Sequence, residues 1–533
     1  MGGMAPAVAQ YLAAGGEFPS SVVPVMNGGA SDFAPRRSGS AAGADLAISI
    51  SSAGVYRITQ PQLVAAGFAS NLLVGDALRL FCRTQEVACQ VSQSGVWATN
   101  DYLWFYGVGH SGYDSATNVY WLGLSGGTRL GLMEADGATN AGGVLVTTHW
   151  ERVRYAPDLL WRDFYRPWDD TIDHWFAALV THTADVSTTV AVDERIAAGS
   201  AYLQTLIYGL TSSSHTTRVS LNGTPVLSYA YTGAERFATS DVVAASLLVN
   251  GVNTFTWRQT NAPLDSVYLV EYTLDYARNL KARSNQLHYQ VPAGTYRHRV
   301  SGLTTNAGFL VLDVTDPARP VGYSNWNVTG GPGNYELNVR TEAASPRRFY
   351  ITPASQMGTS PRLQRHPFRD LAATNNQAEY LMITPYAFRR PAYDLLKHRQ
   401  TNGMAVQVVP LEDLYNEFSY GIAEAAAIKQ FIGYAYHHWA APAPRFVCLV
   451  GDGTPDPRNG LGLNPAITVP VHYGPSSFNW CPQDNWYGCV DGTDWLVDLS
   501  IGRIPVASTT ELARVVAKVK SFESTPASLE VLL

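Results

Sequence analysis

Long apolar runs are missing from this sequence. No segment approaches the roughly 18–20 apolar residues of a membrane-spanning helix, so the chain reads as soluble and without a transmembrane segment. Charge is scarce too. Lys+Arg number 37 against 43 Asp+Glu, the formal net charge is −6, and charged residues make up 15%. That balance offers no basic surface for nucleic acid. Five Cys in 533 residues are too few for a disulfide-built scaffold. A basic segment followed by an apolar stretch is missing from the N-terminus, so no signal peptide is visible. Residues 1–44, rich in Gly, Ala, Ser and Pro, read as a flexible tail. No His-Glu-x-x-His pattern and no Gly-Lys-Ser/Thr phosphate loop occurs, which leaves zincin and P-loop chemistry unsupported.

What is present is 46 Gly, 30 Pro and 11% aromatics, with 46% apolar residues overall. This composition favours β-rich structure, holds enough apolar sequence for several cores, and excludes global disorder. At about 100–200 residues per domain, the length allows about three to five domains.

Residues 45–145 read as a small β-rich domain. Its strands are Gly54–Thr59, Leu78–Cys82, Val87–Val91, Tyr102–Tyr106 and Val119–Leu124, with one short helix over Gln60–Phe68. Leu78–Cys82 and Val87–Val91 are expected to form a hairpin; a Cys82–Cys89 disulfide and two free thiols both suit that spacing. Residues 146–282 read as a β-sandwich, with Asn222-Gly223 as a hairpin turn and Asn250-Gly251 repeating the device. Such sandwiches bind carbohydrate in some proteins and pack on neighbouring domains in others. Residues 283–370 form a further β-rich unit, carried by Tyr296–Val300 and Phe309–Val314.

Near residue 378 the pattern changes to alternating strands and helices. Strands are expected at Tyr380–Thr384, Met404–Val409 and Phe446–Val450. Helices are expected at Pro391–Gln400, ended by Asn402-Gly403, and at Ile422–Trp439. This order predicts a parallel sheet with its functional groups at the carboxyl ends of the strands, where Asp452 stands.

Several candidates for chemistry fall away. Gly123-Leu124-Ser125-Gly126-Gly127 has nucleophile-elbow spacing but β and turn flanks. His110 reads as a surface loop residue, and His437 and His438 as helix C-terminal cations. Cys448 lies inside an apolar run and reads as buried strand; Cys481 and Cys489 lie in a loop where a disulfide is open to them, without a Cys/His partner set for a metal. Asp491-Gly492-Thr493-Asp494-Trp495-Leu496-Val497-Asp498 clusters three carboxylates around a Gly turn. That suits the all-oxygen shell of Ca²⁺ and equally a solvated acidic turn.

Taken together, Tyr380–Thr384, Asn402–Val406, Phe418–Gly421 leading into Ala427–Phe431, Val447–Gly453, Gln483–Gly488 and Leu499–Val506 resemble the gingipain family of cysteine peptidases. The resemblance covers residues 378–533 and implies the N-terminal part of a caspase-like α/β domain, truncated at its C-terminus. The β-rich and β-sandwich domains before it look, more loosely, like those of long bacterial members, including sortase-like ones of a secretion system. The fold implied is therefore multidomain, β-rich first and α/β last.

The resemblance also implies a structural Ca²⁺. Its ligands would be the side chains of Asp452, Asp494 and Asp498 and the carbonyls of Asp491 and Leu496; Asp498 stands where a longer Glu can occur. It implies peptide-bond hydrolysis by a Cys/His dyad acting on protein or peptide substrates at a cell surface or outside the cell. In the family those residues follow the helix after Ile-Gly-Arg, here Thr510–Phe522, and one further strand, which would start at Val531-Leu532-Leu533. None of the 12 His precedes a Gly, and none of the five Cys ends a suitable late strand. No catalytic residue is assigned, and pairing Cys481 or Cys489 with His472 is rejected. The chain is thus expected to be a peptidase fragment inactive by itself. The alternative is a non-catalytic module whose sandwich domains bind glycan or protein partners; a stop codon after Leu533 would favour it.

Overall fold

The computed structural model describes residues 44–124, 129–163, 174–261, 265–358, 361–366, 368–462, 468–476 and 480–524. Residues 1–43 of the expected tail 1–44, the Ser125-Gly126-Gly127 of the discarded elbow and the expected strand start at 531–533 lie outside these residues; Ala44 already opens a strand that runs to Ile50. The described chain divides into two compact units, one built from 132–163 and 174–357 and the other from 44–131 and 358–524.

In the first unit, two antiparallel sheets form a sandwich. One orders Thr148–Tyr155, Ser266–Asn279, Ser200–Gly209 and Arg236–Ala244; the other orders Val186–Val192, Gly251–Gln259, Ser214–Leu221 and Thr224–Thr232. Alternate residues point inward, so Leu203, Val219, Phe255, Trp257, Tyr272 and Leu274 share one core. Asn222 and Gly223 take φ of 50° and 82°, and Leu221 pairs with Thr224, which is the expected tight hairpin. Asn250-Gly251 does something else. The strand it opens pairs with Val186–Val192 and Ser214–Leu221 instead of its sequence neighbour. The buried Asn253 amide shapes that entry by bonding Val249 N, Val249 O and Gly251 O.

The same unit carries two further sheets. Met133–Asp136 pairs in parallel with Val321–Ser324, and Val144–Val146 with Gly294–Leu303. These two short strands, read from sequence as the end of the first β-rich domain, complete sheets whose other strands come from residues 287–353.

The second unit begins with two small sheets. Leu78–Cys82 pairs with Asn118–Leu124 on one side and, on the other, with Gln85–Val87 alone of the expected partner strand; Cys89 crosses to the other sheet, opposite Phe105. The expected five-residue hairpin is therefore corrected: buried Val87, Ala88 and Cys89 carry the chain between sheets, and all five cysteines are free thiols. The short helix expected at Gln60–Phe68 is Gln60–Ala65, closed by Gly67 at φ 101°.

The α/β part of this unit contains β1 (Tyr380–Thr384), α1 (Tyr386–Thr401), β2 (Val406–Pro410), α2 (Leu411–Phe418), α3 (Ala425–His438), β3 (Phe446–Val450), β4 (Ser500–Ile504) and α4 (Thr509–Ser524). The sheet order is β2-β1-β3-β4 and every pair is parallel. Strand alternation sends Leu381, Ile383, Val447 and Leu449 to α2 and α3, and Met382, Cys448 and Val450 to α1 and α4. Cys448 is buried, as its run predicts.

Two helix starts differ from the sequence reading. α1 begins five residues before Pro391, because the Glu412 carboxylate accepts from Tyr386 N at 3.0 and 3.2 Å. α3 begins at Ala425, after a turn in which Tyr420 takes φ 57°, and Ile422 packs instead with Phe81, Val119 and Trp121. α2 was not expected from sequence.

Candidate functional site

The carboxyl edge of the sheet is organised around Gly451-Asp452-Gly453. Gly451 has φ +144°, and a Cβ there would lie 2.5 Å from Val469 Cγ2. A Cβ on Gly453 would lie 2.1 Å from Val471 Cγ2. The two glycines let the 468–471 segment lie directly against the strand end, fixed by Val469 N donating to Asp452 O at 2.8 Å. Gly453→Ala is expected to lower the stability of this unit by about 1–3 kcal/mol through overpacking. An unchanged unfolding midpoint would show that 468–471 moves away freely.

Arg503, of the Ile-Gly-Arg element, reaches the same place. Its guanidinium makes a fork to Asp484, at 2.8 and 2.7 Å, and donates to Gly451 O (3.2 Å), Val469 O (3.0 Å) and Pro470 O (3.0 Å). Burial works against its charge, and the Asp484 carboxylate more than offsets that, leaving its pKa raised. One cation thus joins three elements that are far apart in sequence: the Gly-Asp-Gly strand end, the Gln483-Asp484 turn and β4.

The five expected calcium ligands are not brought together. Asp452 follows β3 at the carboxyl edge, whereas Asp491, Asp494, Leu496 and Asp498 precede β4 at the amino edge. Phe446 pairs with Ser500 and Val450 with Ile504, so four residue steps of about 3.3 Å, about 13 Å in all, lie between the two edges. Ca²⁺ holds oxygens at about 2.3–2.6 Å, so two ligands of one ion lie within about 5 Å of each other. Asp452 does not fit a shell containing Asp498. Within the loop, Asp498 Oδ2 accepts from Val490 N (2.7 Å) and Asp491 N (2.8 Å), and Asp494 Oδ1 from Leu496 N (2.9 Å). Leu496 is exposed, as is Trp495 beside it. Among the described residues no three His, Cys, Asp or Glu side chains come together as a metal site.

Four of the thiols are held protonated by their surroundings. Burial raises the pKa of Cys82, Cys448 and Cys489, and takes Cys89 to about 12. Cys489 Sγ donates to Asn485 O at 3.4 Å. His472 stacks on Trp486 at 3.9 Å, and burial, with Lys429 nearby, lowers its pKa to about 4. Among the described residues no cysteine is hydrogen-bonded to a histidine. His437 instead places Nε2 2.9 Å from Val490 O.

Sequence reasoning missed the loop 109–116, which belongs to this site. Asp114 Oδ2 accepts from Ala425 N at 2.9 Å and caps α3. Tyr113 donates its hydroxyl to Pro455 O at 2.8 Å, and Arg458 Nε donates to Gly112 O (3.1 Å) and Tyr113 O (3.2 Å). Trp121 Nε1 donates to Tyr420 O at 2.8 Å. The small β-rich domain is thereby fixed onto the segment that follows the Asp452 strand end. Only the Gly/Ser content of this loop was readable in sequence, and it gave no sign of the cap.

Residues 373–531 match the family model of Peptidase family C25, which bears out the resemblance read from the motifs. Over 91% of its length the chain also shares the fold of dimeric latent PorU from Porphyromonas gingivalis, with TM-score 0.63 and 19% identity. The match covers 50% of that chain, so the present chain spans about half its length. The multidomain order, β-rich domains followed by an α/β gingipain-like domain, is therefore the architecture of this chain. A solved protease matches at 24% identity and TM-score 0.22 over 29% of either chain. The CBM35 module of Cellvibrio japonicus Abf62 matches at 14% identity and TM-score 0.17, over 24% of this chain and 96% of that one. Those two scores are too low to carry an argument. No curated protein matches.

Proposed function

We propose that this chain supplies the supporting substructure of a gingipain-like cysteine endopeptidase, and that the Cys/His dyad hydrolysing the peptide bond is not among its residues. The family match over residues 373–531 carries the reading. The absence of any Cys–His pair among the described residues, with Cys89 and Cys448 buried in strands, supports the second half. Substrates are proposed to be proteins or peptides, and the setting extracellular or at the cell surface. Among the described residues no helix is long and apolar enough to cross a membrane. Incubated with a peptide library, the 533-residue chain is expected to give no cleavage. Cleavage that thiol alkylation blocks would overturn the missing-dyad claim.

Calcium binding is proposed for the amino-edge loop alone, on the strength of the family resemblance, through Asp494, Asp498 and the carbonyls of Asp491 and Leu496. Calorimetric titration of the intact chain is expected to show Ca²⁺ heats that Asp494→Ala abolishes and Asp452→Ala leaves unchanged. Heats indifferent to Asp494→Ala would remove the loop from consideration.

A further inference from the structure

The chain contains only five lysines in 533 residues, and three of them, Lys397, Lys518 and Lys520, lie on α1 and α4. These two helices lie side by side on one face of the sheet. α1 buries Phe388, Ala392, Leu395 and Leu396, α4 buries Leu512 and Val516, and both sets join Met382, Cys448 and Val450 in one cluster. Each helix returns from the carboxyl edge of a parallel strand, so the two run in the same direction. Their last turns meet where His398 Nε2 lies 2.8 Å from Glu523 Oε2, a carboxylate that also accepts from Arg399.

The outer side of this pair is basic. Arg389, Arg390 and Lys397 on α1, and Arg514, Lys518 and Lys520 on α4, are all exposed. None of the six has an ion-pair partner among the described residues; Arg154 and Arg283 in the first unit, by contrast, are paired with carboxylates. Asp394 and Glu511 are the exposed acids on these helices besides the Glu523 already paired. A positive excess has thus collected on one face of a chain whose formal net charge is −6. Two aromatics stand on the same two helices: Tyr393 is 56% exposed and Phe522 81%.

We propose that the α1–α4 face is an electrostatic docking surface for an anionic lipid bilayer. Two adjacent helices of 16 residues each, at about 1.5 Å per residue, present a flat strip about 24 Å long. A strip with dispersed cations suits a flat anionic surface better than an acidic peptide, which needs a groove to hold it. Lysine stems reach outward while their ammonium groups stay in water, and Tyr393 and Phe522 enter the headgroup region. The proposal stands independently of the peptidase reading.

The test is co-sedimentation of the 533-residue chain with phosphatidylglycerol/phosphatidylcholine vesicles, with pure phosphatidylcholine vesicles as reference. The chain is expected to bind the anionic vesicles only, and to be released by about 0.5 M salt. Lys397→Glu with Lys518→Glu and Lys520→Glu is expected to weaken binding about a hundred-fold or more. Arg236→Glu, on the exposed edge of the sandwich, is expected to leave it unchanged. Salt release of the unaltered chain keeps the test independent of how the variants fold. Equal binding to neutral vesicles, no binding to either, or unchanged binding by the triple variant would overturn the proposal. So would poly-glutamate binding the chain while anionic vesicles do not, which would assign the face to an acidic polypeptide.

Discussion

Arg503→Ala is expected to destabilise the second unit by about 3–5 kcal/mol, the cost of removing one partner from a largely buried ion pair. The Arg503 side chain is 10% exposed and Asp484 27%. Removing the guanidinium leaves the Asp484 carboxylate without its fork and strips donors from the carbonyls of Gly451, Val469 and Pro470. Three segments would lose their common tie, so the loss extends past one contact. Arg503→Lys keeps the charge but not the fork and is expected to recover less than half of the loss. Denaturant unfolding followed by protease susceptibility of the second unit measures both. A loss below about 1 kcal/mol for the alanine variant would make Arg503 an ordinary surface cation.

Asp114→Asn is expected to act in the opposite direction at neutral pH. Burial raises the Asp114 carboxyl from its ordinary 3.8 to about 6; the bond from Ala425 N lowers it, Glu424 raises it and Arg458 lowers it. Because the folded value lies above the unfolded one, the folded chain holds a proton between about pH 4 and 6 that the unfolded chain has lost. Stability therefore falls as pH rises through that window, and the full cost of the buried charge is present from about pH 6 upward. Asparagine keeps an oxygen for Ala425 N and removes the titration. The variant should match the parent near pH 4 and exceed it by about 2–3 kcal/mol at pH 7. Unfolding midpoints of both proteins across this range give the difference directly. A difference that does not change with pH would show that Asp114 remains ionised when folded without cost.

Much of the α/β part was legible where a short continuous apolar run marks a strand covered on both faces. Tyr380–Thr384 and Phe446–Val450 read as buried parallel strands and are found as such. Helix starts were not legible, because their caps come from distant sequence. Glu412 supplies the partner for the first turn of α1, and Asp114 supplies it for α3 from a domain about 300 residues earlier. Cys89 misled for a related reason: Val87-Ala88-Cys89 is uniformly apolar, and only the packing of two sheets decides that the strand breaks within it.

The candidate site was legible as motifs but not as geometry. Gly451-Asp452-Gly453 and Ile501-Gly502-Arg503 stood out in sequence, yet the reason they belong together is one guanidinium whose acceptors come from three segments. The acidic loop shows the converse. Its residues are adjacent in sequence and to Asp452 by analogy, but the parallel register of β3 and β4 places Asp452 at the other end of the strands. The five-ligand shell failed because spacing along the chain carries no information about which sheet edge a loop occupies.

The central proposal is that this chain frames a cysteine peptidase site without containing its nucleophile. The direct measurement uses the protein carrying this chain, isolated from the cells that make it and treated with a peptidyl acyloxymethyl ketone probe, with the labelled cysteine mapped by mass spectrometry. The account predicts a single labelled cysteine in a peptide that does not occur in this sequence. Specific labelling of Cys82, Cys89, Cys448, Cys481 or Cys489, or no labelling of any cysteine, would contradict it.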